Sequence, residues 1–229
     1  MDQPRLFEFR MGERSPDTLV VTEANRDVAQ LLTDWRNWPG GALALVGPPG
    51  SGKTHLALAW ALETGARAIA ANTPPTAADE RFQEAQGRLL IDDADGPRDE
   101  AALWHVLDLA RSRGGAVLLV AAQPPGVWPV EALPLRSRLL SLPVARLGEP
   151  DEGLMEVVLR RLCREQFIQL SDDAAKYLVL RLPRTFAAAR AVSVALDQEV
   201  VRGAKPVSVA VAKRALGRAE NAWVGERED

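Results

Sequence analysis

The sequence predicts an α/β protein: a five-stranded parallel sheet covered by helices, followed by a small all-α lobe. Three observations carry this expectation. Short apolar runs alternate with helix-period segments five times, the pattern of β–α–β crossovers. The run at 116–121 is apolar throughout, as a strand buried on both faces must be. After Gly148-Glu149-Pro150 the apolar runs stop and only helix-period segments follow. The expected organisation is an N-terminal arm (1–16), an α/β core (17–148) and a helical lobe (149–229).

Taken in order, residues 1–16 show no helix or strand period and read as an extended arm. Residues 17–22 are short and β-like. Thr22 is placed to cap a helix whose apolar positions Val28, Leu31, Leu32 and Trp35 share one face. Pro39-Gly40-Gly41 ends it, and a core strand follows at 42–46. A helix over 53–64 stops at Gly65. A second strand is expected at about 67–71, a loop with Pro74-Pro75 at 72–78, a short helix at 80–86 and a third strand at 88–91. Leu103, Leu107 and Ala110 mark a helix over 98–113, closed by Gly114-Gly115. The strand at 116–121 is followed by a proline-rich loop at 124–134, a short helix at 135–140 and a fifth strand at 143–147. The lobe reads as helices over 151–167, 171–182, 185–202 and 208–222, with Ser171 as a start signal and Gly203 as a stop.

Composition narrows the classes. With 47% hydrophobic residues, the 229-residue chain can bury a core. A formal net charge of −3 gives no sign of a broad nucleic-acid surface. The lone Cys163 rules out an intrachain disulfide and reads as a small core residue. One cysteine and two histidines leave little for a zinc site. His55 and His105 read as packing residues, as do Trp35, Trp60 and Trp104. Trp38, Trp128 and Trp223 fall near turns or ends, and Trp128 is a candidate contact residue. No signal peptide and no membrane span are expected, so the chain reads as cytoplasmic.

The chemistry starts at Gly47-Pro48-Pro49-Gly50-Ser51-Gly52-Lys53-Thr54, which fits G-x-x-x-x-G-K-[ST]. Between a strand and a helix, this pattern forms a phosphate cradle. The glycines let backbone N–H groups turn inward toward phosphate oxygens, and the helix N-terminus adds positive field. With ATP or ADP as the expected ligand, Lys53 is placed to reach the β and, in ATP, the γ phosphate, and Thr54 to put its hydroxyl on Mg²⁺. A second piece is Arg88-Leu89-Leu90-Ile91-Asp92-Asp93, an apolar strand ending in two carboxylates at the edge where such sheets bind ligands. Asp92 is the expected Mg²⁺ ligand, and Asp93 the residue to orient an attacking water. Arg136-Ser137-Arg138 lies on the helix before the fifth strand. Arg138 is either a surface arginine or one presented to a nucleotide on a neighbouring molecule.

Together, the phosphate loop, Asp92-Asp93, Ser137-Arg138 and the helical lobe resemble the AAA+ ATPases of the DnaA branch, and within it the Hda-type regulatory inactivators of the initiator DnaA. The resemblance covers about residues 15–222. It implies a P-loop AAA+ core with an all-α lid. The segment Asp17-Thr18-Leu19-Val20-Val21 to Asn25-Arg26 is similar to the one that wraps adenine in this branch, which makes Val20, Val21 and Asn25 nucleotide-contact candidates. Gln3-Pro4-Arg5-Leu6-Phe7 fits Q-x-x-L-F, similar to peptides that bind the β sliding clamp. In that reading Gln3 supplies an amide, and Leu6 and Phe7 apolar anchors. Pro4-Arg5 departs from the usual pattern.

The implied function is stimulation of ATP hydrolysis on DnaA by a chain tethered to the clamp, touching DNA only through it. Homo-oligomerisation is possible. A DNA-binding domain is not expected, since only 224–229 follow the last predicted helix. Two departures weaken the chain's own ATPase. Ala121-Ala122 stand where a polar sensor is usual, with Gln123 the nearest polar residue. Ala187 stands where a lid arginine is usual. Arg184 is the best substitute and Arg190 a weaker one, though both also read as surface arginines. A helicase-loader ATPase that binds single-stranded DNA is the alternative reading. The missing sensor and the acidic balance count against it. A small-molecule P-loop kinase is disfavoured because the helical lobe follows the sheet and is not inserted within it.

Overall fold

The computed structural model describes residues 6–8, 18–200 and 206–225. The chain divides into two compact units, Met1–Gly148 and Glu149–Asp229.

In the first unit, β1 (Leu6–Glu8) pairs antiparallel with β2 (Thr18–Val20). After α1 (Arg26–Thr33) come β3 (Ala42–Val46), α2 (Lys53–Thr64), β4 (Arg67–Ala68), α3 (Pro75–Glu84) and β5 (Arg88–Ile91). Then follow α4 (Glu100–Arg113), β6 (Ala116–Ala121), α5 (Leu133–Leu140) and β7 (Val144–Arg146). The sheet order is β4-β5-β6-β3-β7, and its pairs are parallel. This is the α/β fold with a five-stranded parallel sheet that the alternating pattern predicts.

Strand periodicity sorts the core onto the two faces. Ala42, Ala44 and Val46 of β3 join Leu89, Ile91, Val117 and Leu119 against α3, α4 and α5. Leu43 and Leu45 join Leu90, Leu118 and Val120 against Val28 and Leu32 of α1 and Leu56, Ala57 and Trp60 of α2. Leu119 is fully buried in β6, the central strand of the sheet, which pairs with β5 on one side and β3 on the other. Leu119→Ala is expected to cost about 2–5 kcal/mol. Urea unfolding checks this, and an unchanged midpoint would show that the site repacks.

The second unit holds α6 (Glu152–Glu165), α7 (Asp172–Val179), α8 (Phe186–Glu199) and α9 (Val209–Gly225). Ser171 caps α7 as expected, and Asp151 and Thr185 cap α6 and α8 in the same way: each side chain accepts a backbone N–H bond from the first turn of its helix. Met155, Leu159, Leu178, Val192 and Leu196 form its core. Cys163 is buried among them, and burial pushes its thiol up to about 12.

Several elements differ from the expectation. Within the expected arm, Leu6–Glu8 form the strand β1, which the sequence did not announce because three residues are too few to show a period. Helix α1 starts at Arg26. Asn25 Oδ1 accepts the Thr22 N–H, so Thr22 does not cap the helix. Helix α3 begins at Pro75, inside the expected loop, since proline is favoured in a first helical turn. Strand β4 is only two residues long. Trp128 is buried, and its Nε1 donates to Gln123 O at 2.8 Å, so it is a packing residue. Trp38 is also buried, stacked on Trp60 with centroids 5.3 Å apart. Trp104, expected in the core, is 41% exposed. His55 is exposed as well, and His105 Nε2 lies 3.3 Å from Asp79 Oδ2. Among the described residues no helix is long and apolar enough to cross a membrane.

Candidate functional site

The glycine-rich loop joins β3 to α2 at the carboxyl edge of the sheet. Gly50 (φ 76°) and Gly52 (φ 95°) take left-handed conformations that a side chain resists. Gly47 is required for a different reason: a Cβ there would lie 2.2 Å from the Leu147 carbonyl. Pro48 O accepts the Ser51 N–H at 3.3 Å, and the Lys53 ammonium donates to the same oxygen at 2.8 Å. Gly52 is the N-cap of α2 and offers no side-chain cap. The first-turn N–H groups of α2 therefore keep their donor capacity for an incoming anion. Ser51 is buried, and its Oγ has no hydrogen-bond partner. Thr54 is exposed and begins the same turn as Lys53. These groups fit a nucleotide's phosphates, with a left-handed backbone, a lysine within reach and free helix N–H groups.

Parallel pairing of β5 with β6, and of β6 with β3, brings the end of β5 to the same edge. Asp92 is half-buried, with its Oδ1 accepting the Asp93 N–H at 3.1 Å. Asp93 is exposed at φ 50°, an uncommon conformation for a non-glycine residue. Among the described residues no group of three or more His, Cys, Asp or Glu side chains is placed to hold a metal. Magnesium needs no such cage, because substrate phosphates and water complete its shell around one or two protein oxygens.

The expected adenine segment begins at β2. Val20 pairs with Leu6 in the ladder, Val21 packs at the margin of the core, and Asn25 is buried. Gln3 lies outside the described residues. Arg184 belongs to the second unit, where its Nη2 pairs with Glu152 Oε1 at 3.0 Å. Ala187 and Arg190 are exposed.

Arg138 is placed apart from the loop. It lies near the end of α5, half-buried, and its Nη2 donates to the Gly40 carbonyl. Gly40 (φ 64°) precedes β3, whereas the phosphate loop follows it. The five residues of β3 separate the two by roughly 16 Å along the strand. A Cβ on Gly40 would approach the Arg138 guanidinium to 2.6 Å, so glycine permits the contact. Burial, and then repulsion from Arg111, lower the Arg138 pKa from its ordinary value, with Asp108 opposing.

Sequence reasoning missed the residues that tie the two loops at this edge together. Asp95 Oδ2 accepts the N–H groups of both Ala122 and Gln123 at 2.9 Å. At Ala121-Ala122, a carboxylate from the neighbouring loop holds the backbone. Arg98 donates to Pro129 O at 2.8 Å, and Glu100 accepts from Glu131 and Ala132. These pairs lie 27–32 residues apart in the chain, so no local pattern announces them.

No family model matches the chain. Among curated proteins, it is 29% identical over 152 residues to the replication factor C large subunit of Pyrobaculum arsenaticum, covering 59% of this chain and 35% of that protein. It is 24% identical over 196 residues to the replication factor C large subunit of Nanoarchaeum equitans, covering 75% and 42%. The chain thus spans about a third of the length of the first relatives it matches, 35% in the first case. Among solved structures, it resembles domain III of the Thermotoga maritima replication initiation protein DnaA, with a TM-score of 0.68 at 18% identity, over 93% of this chain and 98% of that one. It also resembles AMPPCP-bound DnaA from Aquifex aeolicus, with a TM-score of 0.56 at 18% identity, over 74% and 60%. The Thermotoga maritima RuvB Holliday junction branch migration motor gives 0.63 at 18% identity, over 85% and 68%. The fold is that of the AAA+ domains.

Proposed function

We propose that this chain, built on the AAA+ fold, is a regulator of chromosome replication initiation that stimulates hydrolysis of ATP bound to DnaA while tethered to the β sliding clamp. The observation that carries the reading is the position of Arg138 at the end of β3 away from the phosphate loop. From there it does not serve a nucleotide on its own chain, but it stands at a face that a partner can approach. Leu133 (74% exposed) and Leu140 (63% exposed) lie on that helix at i and i+7 and flank Arg136 and Ser137, an apolar stripe suited to docking.

In this reading the chain's own phosphate loop binds ADP or ATP through Gly47, Pro48, Pro49, Gly50, Ser51, Gly52, Lys53 and Thr54. Thr54 and Asp92 would hold Mg²⁺, which when bound would neutralise phosphate charge. Val20, Val21 and Asn25 line the base. Asp93 would orient water, but Ala121-Ala122 offer no polar side chain to assist it, so intrinsic hydrolysis is weak. The bound nucleotide serves mainly to fix the shape of the molecule. Arg138 releases the Gly40 carbonyl and places its guanidinium on the γ-phosphate oxygens of the ATP held by DnaA, neutralising charge as the phosphoryl bond breaks. Tethering to clamp on DNA raises the local concentration without new contacts to DnaA.

The test is hydrolysis of DnaA-bound ATP with and without DNA-loaded clamp. Stimulation that requires the clamp is the expected result, and equal rates with and without this chain would overturn the proposal. The arm is tested separately. Changing Gln3, Leu6 and Phe7 to alanine is expected to abolish clamp binding by surface plasmon resonance, and unchanged binding would remove the arm from the mechanism.

A further inference from the structure

We propose that Glu100 is a positioning residue for Arg138, acting as the anchor that sets the entrance of α5 from the nucleotide edge of the sheet. The inference rests on the proposed role of Arg138 and adds a residue to it.

Helices α4 and α5 follow β5 and β6, so both begin at the carboxyl edge, where Asp92-Asp93 and the phosphate loop lie. Glu100, the first residue of α4, accepts the Glu131 N–H on Oε1 at 3.0 Å and the Ala132 N–H on Oε2 at 2.8 Å. Ala132 is the N-cap of α5, and its own side chain cannot cap. Glu100 therefore supplies from another helix the acceptors that the entrance of α5 lacks. The Ala132 bond, then the Glu131 bond, hold the Glu100 carboxyl below its ordinary range. Its contribution is present above the unfolded-state pKa and is lost as pH falls through the lowered folded value.

Two neighbours reinforce the tie. Asp95 Oδ2 fixes Ala122 and Gln123. Arg98 bonds to Gly96 O and Pro129 O, and its guanidinium lies 5.4 Å over the Trp128 ring. Within eight residues of Asp92, three side chains thus bind the backbone that leads into α5. Helix α5 then runs eight residues, about 12 Å, from this edge toward the amino edge, where Arg138 meets Gly40. A shift of the Asp92-Asp93 turn is carried to the near end of that helix, and Arg138 rides on the far end.

The test uses the full chain and Glu100→Gln, which keeps the shape but turns an amide donor toward one of the two backbone N–H groups. Amide exchange at Glu131 and Ala132 is expected to accelerate while exchange in β3 and β6 is unchanged. The maximal rate of stimulated DnaA–ATP hydrolysis is expected to fall about tenfold, the equivalent of one lost charged hydrogen bond, while the concentration giving half-maximal stimulation stays within about twofold. Unchanged exchange at Glu131 and Ala132 would overturn the anchor. Accelerated exchange with a full maximal rate would overturn the positioning role, as would a loss wholly in half-maximal concentration. If the unaltered chain stimulates no hydrolysis at all, the proposed function fails instead. Exchange of the Arg138 Nε–H then decides the positioning role: acceleration in Glu100→Gln supports it, and no change overturns it.

Discussion

Arg138→Ala is expected to bind nucleotide with unchanged affinity and to lose stimulated ATP hydrolysis by DnaA about 10³-fold or more, within the range an arginine supplied in trans contributes. The separation of the two effects follows from position. Arg138 contacts Gly40 before β3, and the phosphate loop begins after β3, so removing the guanidinium leaves the loop's Gly50, Gly52 and Lys53 geometry in place. Arg136→Ala is the matched control, since Arg136 is exposed on the same helix and is expected to change little. Arg138→Lys retains charge but not the planar fork, and is expected to restore only a small part of the rate. Nucleotide titration by fluorescence and single-turnover hydrolysis on DnaA measure the two quantities separately. Retained stimulation in Arg138→Ala would remove the arginine from the chemistry.

Lys53→Ala is the second large effect. It removes the one lysine whose ammonium already spans the loop, bonding to Pro48 O at 2.8 Å. With it goes a charged hydrogen bond to phosphate, worth about 1.5–3 kcal/mol, or roughly 10- to 100-fold in affinity. The fold should persist, because Lys53 is not part of the apolar clusters on either sheet face. If the bound nucleotide sets the active shape, clamp-dependent stimulation of DnaA falls with occupancy. Stimulation that survives with no nucleotide bound would refute the scaffold role of the loop.

Much of the fold was legible without coordinates. The strands 42–46, 88–91 and 116–121 and the helix 53–64 agree with β3, β5, β6 and α2. Each is a long apolar or periodic run punctuated by glycine, where burial and propensity agree. The errors lie where the local signal is short or two-sided. Pro74-Pro75 marks a loop and a helix start equally well, and β4 is two exposed residues held by pairing with β5, too few to show a period. Trp104 and Trp128 exchanged their expected roles. Helical spacing does not say how deep a groove is, and a proline-rich loop can fold its tryptophan inward.

The sequence by itself determined the candidate phosphate loop, because its pattern lies in contiguous residues: Gly47 to Thr54 supply the turn, the backbone donors and the lysine in one stretch. It also determined the paired strand-end carboxylates Asp92 and Asp93, whose location follows from the strand they end. Tertiary structure alone decided that Arg138 rests on Gly40, 98 residues away in the chain, and that Glu100 holds the entrance of α5 from 32 residues away. The physical reason is that parallel crossovers bring loops from separate strands to one edge. Which side chain then meets which backbone N–H depends on packing across the sheet, which no local pattern encodes.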